Sequence, residues 1–292
     1  MASQISTLSV GRLASPPALR GLLGRFGTWP ASARIGGALL ALVLTGVAFA
    51  PLIASADPMA LGATPLLPPG QGGILGTDDL GRDMLARVLH GGRISLMVGI
   101  VSALIAVGLG LSIGIVAGFS GGAVDESLMR ITEMFQILPR LLVAIVVVTL
   151  LGGTVTNVIV VIGILSWPPT ARIIRAQVLM IRHEEFIAAA ILSGATYWRL
   201  ITRHVLPNVL PFLLVSASMQ VASAILSEAA LSFLGLGDPS YPSWGQMLQQ
   251  SQGYLRQSWW MSAFPGIALA ITILGLNLLG DGLSSKLPGA AK

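Results

Sequence analysis

Groups able to do chemistry are few in this chain, and three stretches hold the candidates. Gly76-Thr77-Asp78-Asp79-Leu80-Gly81-Arg82-Asp83 sets three carboxylates around one guanidinium. Such a set suits local ion pairing in a solvated cap; a metal site would need a His or a further carboxylate, and none is suitably close in sequence. Glu133 and Arg140 stand seven apart in a mostly apolar run. On one helix they would share a face two turns apart, where they could line a solute path or snorkel at a membrane boundary. The third stretch, Arg182 to Pro207, is the longest polar interruption in the apolar second half. It carries Glu184, Glu185, Arg199, Arg203 and His204 around the small residues Ala188, Ala189, Ala190 and Gly194. A smooth face with charges at its rim suits close approach of another protein, not bond making.

Much chemistry is excluded outright. The chain has no cysteine, so thiolate metal sites, disulfides and cysteine nucleophiles are absent. It contains no GxxxxGK[ST] phosphate loop, no HExxH and no Ser/His/Asp grouping, so it carries no visible ATPase, and no enzyme activity, cofactor or metal is expected. His90, His183 and His204 fall near the ends of apolar segments, as interfacial residues do.

The elements that must position these residues are membrane spans. Of 292 residues, 54% are hydrophobic and 10% charged, with a mean hydropathy of +0.82. A soluble domain has about 25% charged residues. The expected fold is all-α with six transmembrane helices. Residues 1–33 read as a flexible tail without acids and 34–56 as the first span. Ala48-Phe49-Ala50 could pass for a signal-peptidase site, but the basic stretch before it is long for a signal peptide, so the span is expected to stay uncleaved. Residues 57–93 form an external loop, and 94–285 the core domain with loop 182–207 inside it. Residues 286–292 are a short tail. Within the core the spans are expected near 94–118, 131–151, 158–170, 208–227 and 259–280. Pro139 is placed to kink the third, and Gly110 and Gly114 form a small-xxx-small pair in the second. In loop 182–207, Glu185 to Ala190 can start a helix that Gly194 ends. Thr196 can cap a second, short helix to His204, closed by Leu206-Pro207.

Basic residues fix the orientation. Six spans put both termini on one side. Assigning 1–34, 118–130, 172–207 and 281–292 to the cytoplasm gives it twelve of the seventeen Lys and Arg; Arg82, Arg87, Arg93 and Arg256 fall outside, and Arg140 within a span. Positive charge accumulates on the cytoplasmic side, so this fits the bacterial inner membrane with cytoplasmic ends. The pI of about 10.4 arises from these span-end residues and not from a nucleic-acid-binding patch.

Ala188-Ala189-Ala190, Gly194 four positions on, and Leu206-Pro207 after eleven more resemble the EAA loop of binding-protein-dependent ABC importer permeases. The name-giving Glu is Ala188 here, and His204 stands where the general pattern has Ile. GTDDLGRD at 76–83, SFLGLG at 232–237 with PSWG at 242–245, and NLLGDGL at 277–283 resemble segments of dipeptide, oligopeptide and nickel importer permeases. The resemblance covers about 74–285. It implies a type I permease architecture and a partner set: a second homologous permease, two cytoplasmic ATPase subunits and an external binding protein, all around a lipid bilayer. It further implies that Glu184, Glu185, Ala188, Ala189, Ala190, Gly194, Arg199, Leu206 and Pro207 form the ATPase contact. The expected cargo is a di- or oligopeptide; the same machinery could import nickel or another small solute. An ATP-independent transporter or channel is the reading from a different class, and it would place its weight on Glu133 and Arg140.

Overall fold

The computed structural model describes residues 29–54, 56–62 and 64–285. Most of the two tails expected at 1–33 and 286–292 lies outside these. Eleven helices are labelled here: α1 Ala31–Ala48, α2 Met84–Ser120, α3 Gly122–Ile137, α4 Arg140–Leu151, α5 Val155–Leu165, α6 Pro168–Arg182, α7 Glu185–Leu192, α8 Tyr197–Leu200, α9 Leu206–Phe233, α10 Trp244–Ser251 and α11 Trp260–Ser284. A single helical turn, Ala50–Ile53, follows α1. Five helical stretches are long and apolar enough to cross a membrane: α1, α2, α5–α6, α8–α9 and α11. The pair α3–α4 supplies a sixth if taken as one span, bent by 81°.

α2 is the axis of the bundle. It runs 37 residues from Met84, so the last ten residues of the loop expected at 57–93 are its first turns. Gly110, Gly114 and Gly118 form a stripe at every fourth residue along it. A Cβ at these positions would lie 2.6 Å from Thr170 Cβ, 2.7 Å from the Ala171 carbonyl and 2.8 Å from Val178 Cβ, all on α6. In lipid, water exclusion does not drive helices together, so close backbone approach and dispersion must. The pair noticed in the sequence is thus part of a three-glycine seam. α1 docks on α11 by the same device, with Gly36 against the Gly275 carbonyl and Leu279 nitrogen.

Residues 76–83 pair locally and cap a helix as the sequence suggests, but the group is buried where solvent was expected. Asp78 is 0% exposed and Arg82 and Arg87 are nearly as deep. Arg82 Nε donates to Asp78 Oδ2 at 2.6 Å, Arg87 reaches the same oxygen, and Gln250 Oε1 accepts from Arg87 Nη2 at 2.8 Å. Asp78 Oδ1 also accepts from the Leu80 and Arg82 amides, while Asp83 caps α2 through the Leu85 amide. Trp260 Nε1 donates to the Thr77 carbonyl at 3.0 Å. The motif pins the loop before α2 onto α2, α10 and α11; the charges of Asp78, Arg82 and Arg87 are spent on one another, which is why these three need no solvent. The aromatic residues of 231–260 divide likewise: Trp244 and Trp260 belong to the core, whereas Tyr241 and Trp259 are exposed, as an interfacial belt requires.

Gly114→Leu is expected to cost about 1–3 kcal/mol by overpacking the α2–α6 seam. Thermal aggregation of the detergent-solubilised chain should therefore begin at lower temperature. Gly108→Leu on the same helix, where a Cβ meets nothing within 4 Å, should leave it unchanged.

Candidate functional site

The 182–207 segment is a helical hairpin. Glu184 precedes α7, and Ser193-Gly194 ends it. The Ala195 amide donates to the Ala190 carbonyl and the Gly194 amide to the Ile191 carbonyl, at 3.1 and 2.9 Å. That is the paired bonding of a Schellman cap, and it requires the φ of +79° that Gly194 supplies. Ala190 and Ala195, the two residues this motif brings together, both pack on the core. Thr196 Oγ1 accepts from the Arg199 amide, capping α8 as its residue type predicts.

Leu206-Pro207 does not close the second helix. α8 passes through a π turn at Ile201–Val205 and continues as α9, forming one helical stretch from Tyr197 to Phe233. Proline lacks an amide proton; here it falls where the bonding register returns from i+5 to i+4, so no regular helix bond is broken.

One side of the hairpin is anchored and the other is open. Ile187, Leu200 and Val205 are buried, the last two with Phe119 of α2 and Ile174 and Val178 of α6. Tyr197 stands edge-on to Phe119 with centroids 4.6 Å apart. On the open side Leu192 is 89% and Trp198 75% exposed, with Ile191, Ala188, Ala189, Glu184, Glu185 and Arg199 also exposed. Leu192 and Trp198 were not singled out in the sequence. Large apolar side chains beside the alanine run were the available signal.

Glu133 and Arg140 do not share a helix face, because the 81° bend at Leu138-Pro139 separates them. Proline at 139 denies Leu138 the helical region, so the chain breaks there and does not merely kink. Glu133 lies exposed on the rim of a cavity of about 460 Å³ beside Arg172 and Arg175. There Arg175 makes a bidentate pair with Asp125, at 2.5 and 2.6 Å. Arg140 instead turns into the bundle. Its Nη2 donates to Ser223 Oγ at 2.8 Å and Ser227 Oγ at 3.4 Å, its Nη1 to Ser166 Oγ at 3.3 Å.

These serines belong to a polar seam that sequence reading missed. Ser216, Gln220, Ser223 and Ser227 recur at four-, three- and four-residue steps, which is one face of α9. Thr170 and Ser216 are hydrogen-bonded at 3.0 Å, and Gln220 Nε2 donates to the Ser166 carbonyl at the α5–α6 break.

The described residues thus form a bundle of helices long and apolar enough to cross a membrane, with a helical hairpin held out at one end. The chain belongs to the family described as binding-protein-dependent transport system inner membrane component, whose model matches residues 110–287. It is a multi-pass inner-membrane protein of that family. It is 39% identical over 262 residues to the di/tripeptide transport system permease protein of Pseudomonas aeruginosa, covering 87% of this chain and 86% of the relative. With a putative peptide transport system permease protein of Brucella suis it shares 41% identity over 258 residues, 88% of this chain and 87% of the relative. A probable D,D-dipeptide transport system permease protein of Escherichia coli is 38% identical over 252 residues, 85% and 84% of the two chains. The fold matches a chain of the MetNI methionine ABC transporter in an inward-facing conformation, with a TM-score of 0.56 at 20% identity, covering 68% of this chain and 94% of that one. The architecture is thus that of an ABC importer permease.

A Cβ at Gly194 would meet no atom within 4 Å, so only its φ constrains the position. Gly194→Val should cost about 1–2 kcal/mol and increase proteolytic nicking between α7 and α8 in the purified chain. Gly194→Asn, whose side chain tolerates this φ, should nick at the rate of the unsubstituted protein.

Proposed function

We propose that this chain is a permease subunit of an ATP-driven importer of di- and oligopeptides, and that loop 182–207 receives the motion of separate ATPase subunits. One observation carries the reading: the hairpin is anchored by Ile187, Leu200 and Val205 yet leaves Leu192 and Trp198 uncovered at the end of the bundle. Apolar side chains of this size, rimmed by Glu184, Glu185 and Arg199, suit a protein cleft. Ala188, in place of an acid, lets that cleft approach the α7 backbone closely. Peptide cargo follows from the peptide and dipeptide permeases to which the chain is 38–41% identical.

In this reading the loop end is cytoplasmic, in keeping with the basic residues it carries, and the Asp78 end faces the periplasm. The chain pairs with a second, homologous permease, two ATPases bind below, and a binding protein delivers cargo from outside. With no phosphate loop of its own, the chain takes its work from the ATPase dimer. Closure of that dimer pushes the hairpin. Because α8, the π turn and α9 form one continuous helical stretch, with Pro211 inside α9, displacement at Trp198 carries along it toward Gln220–Ser227. The Tyr197–Phe119 contact passes it in parallel to α2. The crossing segments then turn outward to accept peptide, and hydrolysis returns them.

Leu192→Glu places a charge where an apolar anchor is needed, on a side chain too exposed to matter for folding. Affinity purification of the full chain from its native membrane should recover ATPase subunits and a second permease, with at least about a tenfold loss of the ATPases in the variant. A chain that purifies alone, and still moves solute in vesicles without ATP, would refute the reading.

A further inference from the structure

Arg140 is half-buried against α9. Eleven residues of α4 follow it before Gly152, about 17 Å along the helix. Ser223, its partner on α9, stands ten residues before Phe233, about 15 Å from that same end. Both lengths put the guanidinium near mid-depth of a hydrocarbon layer about 30 Å thick. Charges at that depth are costly, and they are kept where they serve an ion or solute path. Its hydrogen-bond partners are the hydroxyls of Ser166, Ser223 and Ser227, and among the described residues no carboxylate pairs with it. Hydroxyls orient a guanidinium without cancelling its charge. The side chain lines a cavity of about 320 Å³ whose other walls are Met134, Phe135, Leu138, Val143 and Leu165. Arg140 is therefore the charged group of an otherwise apolar, open pocket, at the first turn of α4, where the helix dipole adds positive potential.

We propose that Arg140 is a carboxylate-binding station on the solute path, taking the free C-terminal carboxylate of a peptide as it crosses; this rests on the peptide-importer reading above. The planar fork matches a carboxylate bidentately, and the apolar walls accept the adjoining side chain. Neutral hydroxyl partners hold the fork when no cargo is present and let it exchange. Since the seam lies on α9, the stretch driven by the hairpin, the station would move when the ATPases close.

The test is uptake of a labelled dipeptide by the complete importer in proteoliposomes, with peptide moved per ATP hydrolysed measured alongside. Loss of one charge-assisted contact predicts that Arg140→Gln moves about tenfold fewer peptides per ATP or worse, while the permease pair and its ATPases remain assembled. Arg140→Lys, keeping the charge but not the fork, should fall between. Three results would overturn the station. In one, Arg140→Gln imports as well as the unsubstituted complex. In another, the Lys and Gln variants are equally impaired. In the third, the Gln variant loses the second permease, which would make an acid of that subunit the true partner. If the unsubstituted importer moves no peptide at all, it is the cargo assignment that fails, and the station with it.

Discussion

No water reaches the middle of a bilayer, so every break in a crossing helix must find its hydrogen-bond partners inside the protein. This chain breaks two of its crossings, at Leu138-Pro139 and at Ser166-Trp167, and α9 faces the loose ends of both. Gln220 supplies a donor to the Ser166 carbonyl, and Ser223 and Ser227 hold the guanidinium that begins α4. Irregular backbone at membrane depth persists only where it is buried in protein or lines a cavity, and here it does both. The polar seam of α9 is thus the condition for the bent geometry of α3–α4 and α5–α6.

That condition also joins the two ends of the account. The seam sits on the same helical stretch that begins at Tyr197 in the hairpin, so the open side of the hairpin and the polar interior share one continuous element. Around it the packing is stiff. Glycines of α2 bring backbones together along α6, and the buried Asp78–Arg82–Arg87 group locks the opposite end. A close-packed bundle of this kind repacks between discrete arrangements and does not deform smoothly.

The sequence made the membrane class, the number of crossings and the hairpin legible, because hydropathy, Gly194 and Thr196 are local signals. It misled where tertiary context decides. Three acids around Arg82 read as solvated because nothing local shows that Arg87, nine residues beyond Asp78, will bury itself against them. Seven-residue spacing put Glu133 and Arg140 on one face only if the helix continued through Pro139, and a proline permits either a kink or a break. Leu206-Pro207 read as a stop because proline usually is one; a π turn, which has no sequence signature here, absorbed it. The α9 seam was readable in principle from its four-three-four spacing, but serines in an apolar helix are weak signals beside an arginine.

The central claim is that the open side of the hairpin is covered by cytoplasmic ATPase subunits. Because the chain has no cysteine, Leu192→Cys would be its single thiol. The decisive measurement is its labelling by a membrane-impermeant maleimide in vesicles of each orientation, before and after the peripheral ATPases are stripped. The account predicts labelling only when the cytoplasmic face is outward, weak with the ATPases bound and strong once they are removed. Labelling from the periplasmic face, or labelling indifferent to the ATPases, would contradict it.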